Sequence, residues 1–511
     1  LCVVSCTMNL RIVYQFHYIF PKMAIRSKIK SFGYSTVIYG FSNLLTKIVA
    51  VTLIPLYTNY LSVYEVGIIA LLEMVELFVV TLIPMGCVNA MWRYLPNKKT
   101  SIKHKIIISS FTVIIISGFL ITAVLLFFKN SLINILNIDT SINLISYVIV
   151  SCFLRAISNF IYWILQYRNQ AFSYLILSLT QFISLIGLTI YFIIGIESGV
   201  IGIYYAKIIV FSILLIATIF FLLKTVPAMP SLNLMKKLLL YGLPIIPLIL
   251  YLPVLTVSDR YFLQLYGSVE DVGRYGIAYK FGMLINMFLV LPIQKSWGPQ
   301  MFQVGIASED NKKIHQDITF YYSFIGQFII ISLSFFADTI LTVFANKNYL
   351  EVSWVIPWIS LAYFIGGFKI FLMASASLAD RTDLFIKTGL LTISANLFLN
   401  FFLIKEYGVL GAVSSTIISY IILIFLLFIY SRGLNNIIWP IKKIIHGTVL
   451  TILIISVFNI IKDYNFDYEI MIKFILLMSF PVLSFLTKLI GAKEISGLKY
   501  LWRIMTKKII T

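Results

Sequence analysis

The chain has 511 residues, of which 60% are hydrophobic and 12% are charged, against about 25% charged residues in an ordinary globular domain. This composition excludes a soluble globular protein and leaves no room for a folded domain outside a membrane. The formal net charge of +20 does not indicate nucleic-acid binding, because the basic residues lie in short loops that would face anionic lipid headgroups.

The apolar residues form about fourteen stretches of helix length, and a helix crosses a bilayer in about 20 residues. They predict an all-α, polytopic membrane protein with single crossings of about 17–28 residues. The predicted spans are Phe32–Tyr57, Glu65–Trp92, Ile106–Phe128, Ile142–Gln166, Phe172–Gly195, Gly199–Leu223, Leu238–Phe262, Val272–Ile293, Ile318–Leu341, Val352–Ser375, Leu384–Ile404, Gly408–Tyr430, Ile444–Ile461 and Ile470–Leu486.

Lysine and arginine concentrate in every second loop between these spans. Loops on one side hold 25 basic residues, and loops on the other side hold only Lys129, Lys347, Lys405 and Lys462. Because short cytoplasmic loops carry the excess of Lys and Arg, both termini are predicted to be cytoplasmic.

Three short motifs recur in the same order along the chain. Tyr39-Gly40 returns as Tyr241-Gly242, Glu65-Val66-Gly67 as Asp271-Val272-Gly273, and Gly199-Val200-Ile201-Gly202 as Gly408-Val409-Leu410-Gly411. Similar offsets predict two lobes of six helices that share one orientation, the parallel-repeat plan of some transporters.

The predicted organisation follows from this repeat. Residues 1–31 precede the first span, and we call them the leader. We expect its residues 1–22 to be a mis-assigned start or a tail, since Met23 and the basic residues after it make a more natural beginning. The segments are a cytoplasmic leader 1–31, an N-lobe 32–223, a cytoplasmic linker 224–237, a C-lobe 238–430, helices thirteen and fourteen 444–486, and a basic cytoplasmic tail 487–511.

Three prolines cluster in the seventh span: Pro244, Pro247 and Pro253. Each removes an intrahelical hydrogen bond and favours a kink. The span is therefore either a bent packing helix or a hinge that moves during transport.

Charged side chains within the spans are the candidate site. A cation at the bilayer centre costs about 2.5–3.5 kcal/mol, so such residues are retained mainly where they face a watery cavity. The basic ones are Lys47, Arg155, Lys207, Lys280 and Lys369 within spans and Arg260 nearer a span end, and the acids are Glu73, Glu76 and Asp259.

The excess of cations predicts a positively charged cavity that holds an anion, and phosphate suits Arg and Lys donors. The alternative is that several cations reach the interface or simply pair with the acids. The acids in turn either form salt bridges or carry a coupling proton or sodium ion. No cofactor is expected, because the sequence has neither an HExxH nor a GxxxxGK[ST] motif.

Several longer motifs resemble a known family. They are Ser258-Asp259-Arg260-Tyr261-Phe262-Leu263, Val272-Gly273-Arg274-Tyr275-Gly276-Ile277-Ala278-Tyr279-Lys280-Phe281-Gly282, Gln294-Lys295-Ser296-Trp297-Gly298-Pro299-Gln300-Met301-Phe302 and the opening Tyr39-Gly40-Phe41-Ser42-Asn43 with Ile54-Pro55-Leu56-Tyr57-Thr58-Asn59-Tyr60-Leu61. Together they resemble the polysaccharide flippases, which include the O-antigen repeat-unit flippases, of the multidrug/oligosaccharidyl-lipid/polysaccharide exporter superfamily.

The resemblance implies two lobes around a central cavity and alternating access in a bacterial cytoplasmic membrane. It implies an undecaprenyl-diphosphate-linked glycan as substrate, for O-antigen, capsule or a related polymer, and membrane lipids and a polysaccharide polymerase with its chain-length machinery as partners. Asp259, Arg260 and Lys280 lie in the matching motif, whereas Lys47, Arg155, Lys207 and Lys369 are supported by membrane position alone.

Three alternatives stay open. A lipid II flippase would also carry a diphosphate, and a drug or metabolite antiporter would have the same fold with a cavity suited to organic cations. A lipid-linked glycan polymerase is disfavoured, because the external loops are short and lack a pair of carboxylates suited to glycosyl chemistry.

Overall fold

The computed structural model describes residues 51–96, 98–138, 142–305, 309–378, 381, 383–432, 434, 439–462 and 469–491. Within these ranges the chain is helical and contains no β-strand, so the predicted all-α class is confirmed. The leader, most of the first predicted span and the tail beyond residue 491 lie outside the described residues.

We number the α-helices of the described ranges in chain order. Their bounds are α1 Ile54–Tyr60, α2 Val63–Leu82, α3 Cys87–Tyr94, α4 Thr100–Phe127, α5 Lys129–Leu136, α6 Ile142–Ser158, α7 Phe160–Tyr167, α8 Ala171–Ile190, α9 Gly199–Thr225, α10 Leu232–Gly242, α11 Ile246–Tyr266, α12 Val269–Gly282, α13 Leu291–Val304, α14 Glu309–Phe344, α15 Val355–Gly367, α16 Lys369–Leu378, α17 Asp383–Leu399, α18 Lys405–Ser431, α19 Ile441–Lys462 and α20 Glu469–Leu486. Short π-helices lie at Tyr191–Gly195, Asn286–Val290 and Asn400–Ile404, and 3-10 turns at Leu243–Ile245 and Lys347–Val352.

The described residues contain 12 helical stretches that are long and apolar enough to cross a membrane. The stretch from Asp383 to Ser431 has 49 residues and breaks at Gly408, where φ is 51° and ψ is −125°. It therefore accounts for two predicted spans, and each predicted span from the second to the fourteenth has a counterpart. The total of fourteen and the cytoplasmic location of the termini stay predictions.

The seventh span is broken where its prolines predict a kink. Pro244 lies in the 3-10 turn between α10 and α11, and Pro247 lies in the first turn of α11, where the missing N–H costs little. Pro253 lies inside α11 and is buried. The α-helix is thus interrupted by a 3-10 turn at Pro244, and a hinge movement there during transport stays a prediction.

The chain between the two predicted lobes is shorter than the predicted linker 224–237. Helix α9 continues to Thr225, and α10 begins at Leu232. Lys236 and Lys237 are exposed on α10 while Leu238 is buried, so the two lysines that suggested a loop lie on the polar face of an amphipathic helix.

Local structure recurs at the offsets found in the sequence. Ser62 caps α2 and Ser268 caps α12, each in a reciprocal capping box with the acid three residues later. Gly199 and Gly408 both have a positive φ, and each follows a π-helix. Because a left-handed φ favours glycine, the two turns place the same demand on the sequence.

Helices α2 and α12 bring the predicted lobes into close contact. A Cβ on Gly67 would lie 1.9 Å from the carbonyl oxygen of Val269, and a Cβ on Gly273 would lie 2.5 Å from that of Val63. Only a hydrogen fits at either glycine, so the two backbones touch in a reciprocal arrangement. The predicted topology places this contact, which we call the outer contact, on the external side.

A second contact between the predicted lobes joins the far end of the second span to α10, at the start of the seventh span. A Cβ on Gly86 would lie 2.4 Å from the carbonyl oxygen of Gly242, and the guanidinium carbon of Arg93 lies 4.7 Å from the ring centre of Tyr241. We call this the cytoplasmic contact. The lobes therefore meet at both ends of the membrane crossing.

The last two spans pack on the C-lobe rather than between the lobes. They form a separate hydrophobic cluster with α14, in which the ring centres of Phe335 and Phe458 are 4.3 Å apart and Phe324 stacks on Phe480. The charged residues considered next therefore belong to the first twelve spans.

Candidate functional site

Helix α2 supplies both acids of the candidate site. Glu73 and Glu76 lie three residues apart, and nearly every other side chain around them on α2 is apolar. The side chain of Glu76 is 4% exposed and that of Glu73 is 31% exposed. Because an isolated buried carboxylate is very costly, each needs cationic partners.

The partners of Glu76 belong to the N-lobe. Nη1 of Arg155 on α6 lies 3.3 Å from its Oε2, and Nζ of Lys207 on α9 donates a short hydrogen bond to its Oε1. Lys207 also lies over the ring of Tyr204, 4.4 Å from its centre. The side chain of Arg155 is 43% exposed, so it keeps donors available to a ligand.

The partners of Glu73 belong to the C-lobe. Nζ of Lys280 on α12 lies 2.9 Å from Oε1, and Nη1 of Arg260 on α11 lies 3.5 Å from Oε2. Arg260 also donates to the carbonyl oxygen of Ala70 at 3.0 Å. These are bonds across the interface between the lobes, next to the outer contact.

The two groups together have more cations than acids. Arg155, Lys207, Arg260 and Lys280 share the two carboxylates of Glu73 and Glu76, which leaves two positive charges without a carboxylate. The buried Nε of Arg260 has no hydrogen-bond partner within the described ranges. The cluster thus has the charge and the donors to accept an anion.

Asp259 is bonded to groups other than the cations of this cluster. Its Oδ2 accepts a hydrogen bond from the Tyr275 hydroxyl at 2.5 Å, and its Oδ1 accepts one from the backbone N–H of Arg260 at 2.9 Å. No ion pair of Asp259 is found among the described residues, and its hydrogen bonds come from neutral donors. Whether it serves as a salt-bridge partner or carries a coupling ion stays a prediction.

A buried polar network links Ser258, the neighbour of Asp259, to other helices of the predicted C-lobe. Ser258 bonds to Asn396 at 3.2 Å and to Asn400 at 3.1 Å, and Asn396 donates to Ser419 at 3.0 Å. The i, i+4 spacing of the two asparagines signals a shared helix face in the sequence. Their partners on α11 and α18 are visible only in the structure.

Lys369 lies apart from the cluster. It is the first residue of α16 and is half-buried, and no hydrogen bond or ion pair to it is found among the described residues. Lys47 lies outside the described residues. The structure therefore brings together Arg155, Lys207, Arg260 and Lys280 but not Lys369, whose selection rested on depth in the membrane alone.

One functional candidate was missed by sequence reasoning. Tyr275 is fully buried and holds Asp259 through its hydroxyl. It is contained in the motif that carried the family resemblance, and its i, i+4 spacing to Tyr279 places both hydroxyls on one face of α12. That spacing is a signal which could have identified it.

The family described as polysaccharide biosynthesis protein matches residues 32–305, more than half of the chain. No curated protein sequence matches this chain. Among solved structures, the lipid II flippase MurJ in an inward closed conformation is similar with a TM-score of 0.68 and 18% identity, over 88% of this chain and 98% of that one.

Multidrug transporters of the MATE family share the same fold. An inward-facing MATE transporter of the MOP superfamily gives a TM-score of 0.61 at 15% identity, over 77% of this chain and 94% of the other. The MATE multidrug transporter DinF-BH gives 0.57 at 16%, over 80% and 96%. These proteins are transporters and flippases rather than enzymes, and at such identities they show the fold alone. The chain therefore belongs to the polysaccharide biosynthesis protein family, with the fold of the multidrug/oligosaccharidyl-lipid/polysaccharide exporter superfamily.

Proposed function

We propose that the protein is a flippase that moves undecaprenyl-diphosphate-linked oligosaccharide repeat units from the inner to the outer leaflet of a bacterial cytoplasmic membrane. The product would serve synthesis of O-antigen, capsule or a related exopolysaccharide. The observation that carries the proposal is the cluster in which four cations share two carboxylates, where two lobes meet within the membrane.

The chemistry of the cargo explains why a protein is needed. A diphosphate-sugar head cannot cross hydrocarbon unaided, because transfer of charge into an apolar medium is far too costly. The head needs a polar path with fixed positive charges, while the polyprenyl tail stays in the lipid. A cluster with surplus cations in the bilayer interior meets this need.

The four cations differ in accessibility, and this suggests an order of contact. Arg155 has the most exposed side chain of the four, at 43%, whereas Arg260 is 6% exposed. We infer that Arg155 meets the head first and that Lys207, Lys280 and Arg260 join as it moves inward. Arginine suits this task because its planar guanidinium can hold phosphate oxygens in pairs.

The translocation itself would use alternating access. The outer and cytoplasmic contacts between the lobes would open in turn, with the break at Pro244 and Pro247 as the hinge of the seventh span. Such rigid-body movement of one repeat against the other is the usual mechanism for this kind of architecture.

Coupling to a proton or a sodium ion completes the proposal. Of the three acids, Asp259 is the best candidate because its side chain is bonded to a hydroxyl and a backbone amide rather than to a cation. Flipping in proteoliposomes should respond to an imposed proton or sodium gradient, and Asp259→Asn should remove that response. Flipping that ignores both gradients would exclude coupling.

The main test is translocation by charge-reversed variants. We expect Arg155→Glu and Lys280→Glu to abolish the appearance of repeat units in the outer leaflet of proteoliposomes, while membrane insertion is unchanged. Lys405→Glu is the matched control, because Lys405 is exposed and predicted to lie in an external loop. Full activity of the two cluster variants would refute the assignment.

The alternatives are separable in cells. A lipid II flippase, which the likeness to MurJ keeps in view, would restore a strain depleted of its peptidoglycan flippase rather than a capsule-negative strain. Loss of a polymerase would leave single repeat units outside, whereas loss of a flippase traps them inside. An antiporter of organic cations is disfavoured by the surplus of positive charge in the cluster.

Membrane lipids and a polysaccharide polymerase with its chain-length machinery are the proposed partners.

A further inference from the structure

We propose that Glu73 is an internal counter-anion, which the diphosphate of the substrate displaces from Arg260 and Lys280, and that this exchange releases the outer contact between the lobes. The inference rests on the proposed function, because it takes a diphosphate as the incoming anion. It assigns to Glu73 the role of a latch that holds the empty transporter closed on its external side.

Glu73 and Glu76 pair with cations from different lobes. Glu73 lies on α2 of the N-lobe, and both of its cations, Arg260 and Lys280, come from the C-lobe. Glu76 lies three residues further along α2, and both of its cations come from the N-lobe itself. Of the two carboxylates, only Glu73 has ion pairs that must break when the lobes separate.

Glu73 does not satisfy all the hydrogen-bond donors of its cation Arg260. Nη1 of Arg260 lies 3.5 Å from the Glu73 carboxylate, longer than the ~2.7–2.9 Å of a good charge-assisted hydrogen bond. Nε of the same guanidinium is buried without a partner among the described residues, in a side chain that is 6% exposed. An incoming oxyanion with more oxygens and more charge can bind both nitrogens, which Glu73 does not.

The latch lies close to the outer contact, on the same two helices. Glu73 is six residues beyond Gly67 on α2, about 9 Å along the axis, and Lys280 is seven residues beyond Gly273 on α12. The same two helices make the outer contact, in which Gly67 and Gly273 admit no side chain. Loss of the Glu73 bonds therefore removes both ion pairs beside this contact and leaves the bond from Arg260 to the Ala70 carbonyl oxygen.

A functional consequence follows from this arrangement. While the site is empty, Glu73 pairs with the two C-lobe cations, and the external side stays closed. When a diphosphate binds these cations, Glu73 loses its partners and the seam can open outwards. The cargo thus supplies the signal for its own release, and the empty protein does not open a polar path across the membrane.

The test measures the distance between the lobes on the external side. Spin labels would be attached at Ile196→Cys and Tyr407→Cys, which are 50% and 62% exposed and lie in the predicted external loops of the two lobes. Cys2 and Cys6 are replaced by serine, while Cys87 and Cys152 are buried and stay unlabelled. The full chain is reconstituted in lipid nanodiscs, and the probe is undecaprenyl diphosphate, which carries no sugar.

We expect undecaprenyl diphosphate to shift the unsubstituted Glu73 protein to longer label distances. Glu73→Gln should show the longer distances without the probe and should bind it about tenfold more tightly, a change equivalent to about 1.4 kcal/mol. Glu76→Gln is the matched control, which removes the same charge from the same helix and should keep the short distance. Lys280→Gln should also lengthen the distance but bind the probe more weakly.

The outcomes distinguish the latch from the proposed function. If the probe binds but leaves the label distance unchanged, the latch is refuted and the anion site stands; this result needs no substituted acid, so it holds even if Glu73→Gln fails to fold. If Glu73→Gln folds and keeps the short distance and the unaltered affinity, the latch is refuted as well. If the unsubstituted protein binds no diphosphate, the anion site itself is wrong, and the latch fails with it.

Discussion

Replacing Lys207 by methionine tests whether the Glu76 group only holds the N-lobe together or also binds the anionic cargo. Methionine retains an unbranched side chain of similar length and removes the charge. The change leaves Glu76, which is 4% exposed, with Arg155 at 3.3 Å as its remaining cation. Because Arg155 is 43% exposed, it is a weaker partner than the lysine that is removed.

The expected magnitude follows from this geometry. Removal of one partner from a buried ion pair costs about 3–5 kcal/mol, since a charge is left uncompensated. One cation still contacts the carboxylate here, so we expect the lower end, a loss of about 3 kcal/mol in the free energy of unfolding. Glu76→Gln added to Lys207→Met should recover most of that loss, because the buried charge is then gone.

A double-mutant cycle measures this coupling. Unfolding in mixed micelles with increasing sodium dodecyl sulfate, followed by far-ultraviolet circular dichroism, gives the free energy of each of the four proteins. The ion pair between Lys207 and Glu76 would be refuted if Lys207→Met left the free energy of unfolding unchanged and the double variant showed no recovery.

Translocation by the same four proteins then separates structure from binding. If the double variant recovers stability but not flipping of repeat units, Lys207 contributes to the site beyond its structural role. If it recovers both, Lys207 is a structural residue and should be removed from the candidate site.

Three further substitutions have definite expected outcomes. Tyr275→Phe leaves a buried oxygen of Asp259 without its 2.5 Å donor and should cost about 1–3 kcal/mol of unfolding free energy, measured by the same titration. Gly242→Val would put a carbon about 2.3 Å from the Met85 carbonyl oxygen, so it should open the cytoplasmic contact and expose Cys87 to a membrane-impermeant maleimide. Pro253→Ala restores an N–H inside α11 and should slow flipping without weakening diphosphate binding if the seventh span bends during transport; an unchanged rate would exclude Pro253 as a hinge.

The membrane-spanning helices could be predicted from the sequence because they depend on local properties, whereas their orientation stays a prediction. Hydropathy over about 20 residues defines each crossing, and the excess of Lys and Arg in alternate loops orients it. The capping boxes at Ser62 and Ser268 are likewise local, and the acid of each box begins one copy of a repeated motif, Glu65-Val66-Gly67 or Asp271-Val272-Gly273. These features need no knowledge of which helices touch.

The pairing of charges could not be predicted, because it depends on contacts between distant parts of the chain. Glu76 lies 79 residues from Arg155 and 131 from Lys207, and Glu73 lies 207 residues from Lys280. The sequence contains both acids on one helix face but does not show that α2 is shared by the two lobes. Lys369 illustrates the converse, since its depth in the membrane suggested a role that no contact among the described residues supports.

The different partners of the two acids follow from simple helix geometry. Residues three apart on a helix are offset by about 4.5 Å along the axis and about 60° around it. On α2, which packs against both α6 and α12, this small rotation turns Glu76 towards the N-lobe and Glu73 towards the C-lobe. An acid at either position alone would serve one lobe and leave the cations of the other without a carboxylate. The pair therefore allows each predicted lobe to keep buried cations in the empty protein, and in the proposed mechanism only the ion pairs of Glu73 across the interface change. This arrangement supports the proposed anionic cargo, because an organic cation would compete with Arg260 and Lys280 for Glu73 and leave both of them unpaired.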